Sequence, residues 1–138
     1  MTRFPLLGLS RLRMQTDGAG ITTLVAGAGC PLSCKWCINR RILSEKQPEL
    51  LSPQELFARV RCDDLYFRAT GGGVTFGGGE PLLHAAFLAE FRALCPGWRL
   101  TVETSLNVAP ELLAQCEKAV DEFIVDIKDW DETVYYAY

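Results

Sequence analysis

Cys30, Cys34 and Cys37 stand in the run Gly29-Cys30-Pro31-Leu32-Ser33-Cys34-Lys35-Trp36-Cys37, three thiols spaced CxxxCxxC. Thiolates at such spacing on one tight loop can converge on a single iron–sulfur cluster, which cysteine thiolates hold. Three ligands on a four-iron cluster leave one iron open to a substrate, and an open coordination position separates reactive metal sites from structural ones. Structural zinc takes four Cys or His ligands. The only histidine, His84, lies far along the chain, so no fourth ligand is evident; a zinc knuckle completed by another cysteine, or unrelated thiols, stay open as alternatives. Trp36, directly before the last cysteine, is expected to shield such a cluster from water and tune its potential.

The segment from Gly71 to Pro81, GGGVTFGGGEP, packs six glycines into the nine positions before Glu80. Glycine lets a ligand approach the main chain closely but weakens a strand, so this density needs a reason. A phosphate loop is disfavoured: no Gly-Lys-Ser/Thr follows, and no third glycine completes a dinucleotide fingerprint near Gly27-Ala28-Gly29. An amine-binding turn fits better, with backbone carbonyls and the Glu80 carboxylate facing a cationic group; a merely flexible turn is the plain alternative. Asp126 and Lys128 are two apart on an expected strand, so both face one side while Val125 and Ile127 face the opposite layer. Inside a sheet an unpaired charge is costly, so the two must pair with each other, with a ligand, or with groups such as Glu103. An internal ion pair and a functional pair stay equally open. The lone His84 reads as a surface or capping residue, and Cys62, Cys95 and Cys116 as small buried hydrophobes.

The elements that must position these residues alternate. The β-branched run at 21–26 reads as a strand, and the cysteine loop follows it. Ser52-Pro53-Gln54-Glu55 has the form of a capping box with proline at the first helical position, predicting a helix over 53–61. Strands follow at 74–76, 99–104 and 122–127, helices at 82–95 and 110–119, and a last helix begins at 129–132. This β–α order, four times over, implies right-handed crossovers and a parallel sheet. The cysteine loop, 77–80, 103–104 and 126–128 then all fall at C-terminal strand ends, the edge where α/β sheets bind ligands.

At 138 residues, 49% apolar and 22% charged, the chain suits one modest domain with a real core. A net charge of −3 gives no reason to expect nucleic acid or an anionic membrane as partner. No apolar run approaches the ~20 residues of a membrane helix. The patch at 4–9, with Arg11 and Arg13 behind it, is too short for a secretory core. A cytoplasmic, reducing setting is therefore expected, in which clustered cysteines point to metal rather than disulfides.

The stretch from Asp17-Gly18-Ala19-Gly20-Ile21 through Cys37-Ile38-Asn39-Arg40 resembles the opening of the activating enzymes of glycyl radical enzymes, in the radical S-adenosylmethionine (SAM) superfamily. That family usually reads DGPGIR here, so Ala19 and Thr22 depart from it. Gly78-Gly79-Glu80 is similar to its GGE motif, which engages the amino group of the methionine moiety; Gly77 stands where relatives usually have serine. Asp126-Ile127-Lys128 resembles its DxK element, and Glu103-Thr104 sits where relatives carry Asp-Thr. The resemblance implies that these positions, with Asn39, help hold SAM or a monovalent cation beside it. It also implies that Cys30, Cys34 and Cys37 hold a [4Fe-4S] cluster.

The implied fold is a partial (β/α) barrel, about four parallel strands with intervening helices, spanning 1–138 as a single core domain without the C-terminal part of the barrel. The implied activity is reductive cleavage of SAM, with an electron from flavodoxin or ferredoxin, to a 5′-deoxyadenosyl radical. That radical takes a hydrogen atom from a glycine of a glycyl radical enzyme. An activator of anaerobic ribonucleotide reductase shares the cysteine spacing but usually ends its glycine motif in Asp, so Glu80 and Asp126–Lys128 favour the first reading. A non-catalytic cluster- or zinc-binding module is the alternative of another class.

Overall fold

The computed structural model describes residues 1–137. The elements are β1 (Phe4–Met14), β2 (Ile21–Gly27), α1 (Arg40–Glu45), β3 (Glu49–Leu51), α2 (Pro53–Val60), α3 (Asp64–Thr70), β4 (Gly73–Gly78), α4 (Ala85–Leu94), β5 (Arg99–Thr104), α5 (Pro110–Cys116), β6 (Glu122–Val125) and α6 (Glu132–Tyr135). One sheet runs β3-β1-β2-β4-β5-β6. The expected parallel set is present: β2–β4, β4–β5 and β5–β6 all pair in parallel. Among the described residues no helix is long and apolar enough to cross a membrane.

The two faces of the sheet differ because the strands alternate. Val74 and Phe76 of β4 and Leu100 and Val102 of β5 are buried in the apolar core with Leu56, Val60, Phe87, Leu88 and Phe91. Rings knit this layer: Phe76 meets Phe91 edge-on at 5.5 Å, and Phe87 stacks on Phe91 at 6.2 Å. The residues between them face the other way and are polar. Thr75 Oγ1 donates to the Asp17 carbonyl at 2.5 Å, and Glu103 crowds against Gly77. The turn at 15–20 is thereby held against the polar face. The predicted capping box of α2 forms: Ser52 Oγ accepts from Glu55 N at 3.2 Å, and Glu55 Oε2 accepts from Ser52 N at 2.7 Å.

The structure adds to the expected β–α alternation. β1 and β3 are antiparallel additions. The register of β1 shifts between Leu6 and Gly8 and again between Ser10 and Arg13, and such bulges destroy the period of two that marks a strand in sequence. α1 buries no residue and has no side-chain cap, so it leaves no amphipathic signature. The expected helix over 82–95 divides into a 3₁₀ turn, Pro81–His84, and α4. The strand expected over 122–127 stops at Val125, which leaves Asp126 and Lys128 beyond it; Val125 and Ile127 are exposed rather than covered by a layer. Cys95 and Cys116 are buried as expected, but Cys62 is exposed.

Candidate functional site

The root of the cysteine loop is stitched to the end of β4. Gly79 N donates to the Gly27 carbonyl at 2.9 Å and Glu80 N to the Gly29 carbonyl at 2.8 Å. A Cβ at Gly79 would lie 2.0 Å from the Gly29 oxygen, so only glycine permits this approach. From the other side, His84 Nε2 lies 3.2 Å from the Ala28 carbonyl, and its ring packs edge-on against Phe4 at 5.1 Å. Burial lowers the His84 pKa, so the neutral ring donates to that carbonyl as a brace for the loop. Further on, Cys37 N donates to Cys34 O at 3.2 Å, and the Arg40 guanidinium caps the same carbonyl at 3.1 Å.

Every residue expected to hold the cluster or to shape the site beside it lines one cavity of about 380 Å³: Cys30, Cys34, Trp36, Cys37, Asn39, Gly78, Gly79, Glu80, Glu103, Thr104, Asp126 and Lys128. This volume lies within the usual range for small-molecule sites, roughly 300–1,000 Å³. Ser105, not anticipated, lines it as well. A hydroxyl two residues from a charged position carries no sequence signal of its own.

The side chains divide the work differently from expectation. The Glu80 carboxylate does not stand free to face a cation. It accepts from Thr104 Oγ1 at 2.6 Å, Leu82 N at 3.2 Å, and Ser105 N and Oγ at 3.0 Å each. It thus caps the 3₁₀ turn and clamps the ends of β4 and β5 together. Asn39 Nδ2 donates to the Gly78 carbonyl at 3.0 Å, tying the cysteine loop to the glycine turn. Trp36 lines the cavity and is 56% exposed. Asp126 and Lys128 are ion-paired, and Asp126 N donates to Thr104 O at 2.9 Å. Burial alone would lower the Lys128 pKa, but the hydrogen bond and charge of Asp126 outweigh it and the pKa is raised. The ammonium stays charged.

Glu103 and Gly77 form a matched pair. A Cβ at Gly77 would lie 2.6 Å from Glu103 Oε2; the absent side chain makes room for the longer acid. Glu103 is hydrogen-bonded to Asp17, and burial first, then Asp17, push its pKa up to about 7. Asp17 is in turn ion-paired with Arg13.

The donor set fits the expected groups. Cys30, Cys34 and Cys37 are free thiols on one cavity wall. Among the described residues no three Cys, His, Asp or Glu side chains gather closely enough to hold a single metal ion. A cluster places each thiolate on a separate iron and does not require that convergence. On the same cavity, the Lys128 ammonium and the carboxyls of Asp126 and Glu103 present both signs of charge, as an amino-acid end carrying an ammonium and a carboxylate requires.

Comparison with known proteins agrees with this geometry. The Radical SAM superfamily model matches residues 24–137. The pyruvate formate-lyase 2-activating enzyme of Escherichia coli (strain K12) is 30% identical over 149 residues, covering 85% of this chain and 51% of that protein. The pyruvate formate-lyase-activating enzyme of Clostridium pasteurianum is 34% identical over 122 residues, covering 86% and 50%. The chain therefore spans about half the length of these relatives. The crystal structure of QueE from Escherichia coli superposes with a TM-score of 0.59 over 88% of this chain and 69% of that one; at 20% identity it speaks for the fold alone.

Proposed function

The chain belongs to the radical SAM superfamily, whose cofactors are a [4Fe-4S] cluster and S-adenosylmethionine, and from that premise we propose that it activates a glycyl radical enzyme. When bound, these groups supply one-electron reductive cleavage of a sulfonium and abstraction of a hydrogen atom from a glycine of the partner protein. The chain's own residues bind and orient. Cys30, Cys34 and Cys37 hold iron. The glycine turn at Gly78-Gly79, fixed by Asn39 and clamped through Glu80, offers its backbone to the methionine amino group. The Lys128 ammonium meets the carboxylate, with Asp126 keeping it charged. Thr104 keeps Glu80 in place, and Glu103 lies where a monovalent cation is expected beside the methionine end. An electron comes from a flavodoxin or ferredoxin.

The observation that carries this reading is the convergence of four separate strand ends on one cavity whose only thiols are the CxxxCxxC trio. The relatives named for activating pyruvate formate-lyase support the glycyl radical step. Anaerobic reconstitution with iron, sulfide, reductant and S-adenosylmethionine tests it. The expected result is bound iron and release of 5′-deoxyadenosine, both lost in Cys30→Ala, Cys34→Ala and Cys37→Ala. An oxygen-free preparation that takes up no iron refutes it.

A further inference from the structure

The cysteine loop leaves the sheet through one flexible joint. Gly29, with φ at +91°, stands in the left-handed region directly before Cys30, where glycine turns at little steric cost. Cys34 is buried, so packing helps to fix it, whereas Cys30 is exposed and takes its direction from the backbone behind it. Peptide units are planar, so the two planes that meet at Gly29 set its φ and ψ. The plane preceding these two is held twice, by Ala28 N donating to the Pro5 carbonyl at 2.8 Å and by Gly79 N donating to the Gly27 carbonyl at 2.9 Å. The plane between Gly29 and Cys30 is held at its carbonyl by Glu80 N, again at 2.8 Å. The plane between Ala28 and Gly29 is held at its carbonyl by His84 Nε2 at 3.2 Å. A carbonyl only accepts, so Nε2 carries the proton. Glu80 and His84 are the cap and the last residue of one 3₁₀ turn, Pro81–His84, and that turn grips both sides of the glycine joint. Main-chain donors of almost any sequence can hold the other two planes; the middle one depends on the type of a side chain.

We propose that His84 is the positioning residue for Cys30: through the Ala28 carbonyl it fixes the Gly29 joint and holds the first thiol in place before any iron is bound. The proposal rests on the iron–sulfur reading above for its consequence. A ligand held ready in its bound place loses less freedom when it engages, which strengthens binding without any new contact. The ring packs edge-on against Phe4 at 5.1 Å, and it acts on Cys30 through the backbone. Two properties of His84 are therefore separable, the ring that fills space beside Phe4 and the N–H that holds the carbonyl, and the proposal assigns the positioning to the N–H.

Two replacements separate the bond from the packing. His84→Phe keeps a ring for Phe4 and loses the N–H; His84→Gln loses the ring and keeps an amide N–H at similar reach. Amide hydrogen exchange is measured on the metal-free, reduced chain, and iron release to a ferrous chelator on the anaerobically reconstituted chain. For His84→Phe the expected result is about tenfold faster exchange at the Ala28 and Glu80 amides, the size that loss of one hydrogen bond allows. Iron release speeds up about tenfold with it. His84→Gln stays close to the parent in both measurements. Amides in the middle of β4 and β5 are unchanged in either variant, which shows that the sheet is intact. A residue that only fills space gives the reverse order, with His84→Phe like the parent and His84→Gln impaired, and that order overturns the proposal. So does a His84→Gln chain impaired as much as His84→Phe, or a His84→Phe chain indistinguishable from the parent. Exchange reads the joint without iron, so a parent that takes up no iron defeats the functional reading while the exchange rates still decide this one.

Discussion

Glu103 stands where the pattern it resembles carries aspartate, and its geometry explains a second difference, Gly77. Adding a side chain at position 77 drives a carbon to 2.6 Å from Glu103 Oε2. Gly77→Ser alone is therefore expected to cost about 1–3 kcal/mol as overpacking. In the double variant Gly77→Ser/Glu103→Asp the shorter acid withdraws and most of that cost disappears. Chemical denaturation of the four proteins of this double-mutant cycle checks it, and additive effects would refute the pairing. The same carboxyl makes stability depend on pH. Its pKa is about 7 in the fold against an ordinary 4.5, raised by burial and then by Asp17, with which it is coupled. A raised carboxyl favours the folded state while protonated. That contribution is complete below the ordinary value and is lost as pH rises through the folded value. Between about pH 5 and about pH 8 the parent should lose on the order of 2 kcal/mol relative to Glu103→Gln, whose carboxamide does not ionise. Thermal midpoints of both proteins across that range decide the matter.

At the scale of elements, the join between β4 and the cysteine loop governs the site. Gly79→Ala places a carbon 2.0 Å from the Gly29 oxygen and must break the hydrogen bonds that root the loop. A loss of about 3 kcal/mol is expected, with iron retention falling in parallel; Gly77→Ser, whose added side chain meets Glu103 rather than the Gly29 carbonyl, keeps its iron. Iron and sulfide assays on the two variants separate them. This join also shows how far the sequence can be read. The four strand ends are legible because β2, β4 and β5 are short runs with glycine or proline close by, β6 is a short apolar run between helix-like segments, and parallel order sends their C-termini to one edge. The CxxxCxxC loop stands out by residue type and spacing, whereas Asn39 enters only through the resemblance, and residue type alone leaves Asp126–Lys128 open between an ion pair and a ligand contact; the structure shows them ion-paired on the cavity. The role of Glu80 is not legible. Its type says carboxylate, but only the fold brings Thr104 and Ser105 to it, adding a clamp across the ends of β4 and β5. β1 escapes because its bulges break the alternation, and α1 because nothing on it is buried. His84 and Cys62 escape too. The lone histidine, expected as a surface or capping residue, makes no cap hydrogen bond and instead packs on Phe4 and braces the Ala28 carbonyl, while Cys62 sits on an exposed 3₁₀ turn that no periodicity marks.

The whole molecule is an open, half-closed sheet, and its stability should follow the order of its strands. β4 and β5 have a neighbour on each side and an apolar helical layer over Val74, Phe76, Leu100 and Val102. β6 pairs with β5 alone among the described residues. Its Val125 and the following Ile127 and Trp130 are exposed. In a strand, hydrogen-bonding groups alternate between the two sides, so every second amide of β6 points to the open edge rather than to β5. Opening free energies across a fold scale with buried apolar contacts and enclosed hydrogen bonds. Native-state hydrogen exchange is therefore expected to show amides of β4 and β5 exchanging only with global unfolding. β6 should show an alternating pattern, its β5-facing amides protected at an intermediate level and its edge-facing amides exchanging nearly as fast as loops. Segment 126–130 should open with β6, because Asp126 N is anchored on Thr104 O. Uniform protection across β4, β5 and β6 would mean that the edge is covered in solution. A covered edge would in turn raise the apolar contacts of Val125 and Ile127, which Val125→Lys would then destabilise by more than the few tenths of a kcal/mol usual for an exposed site.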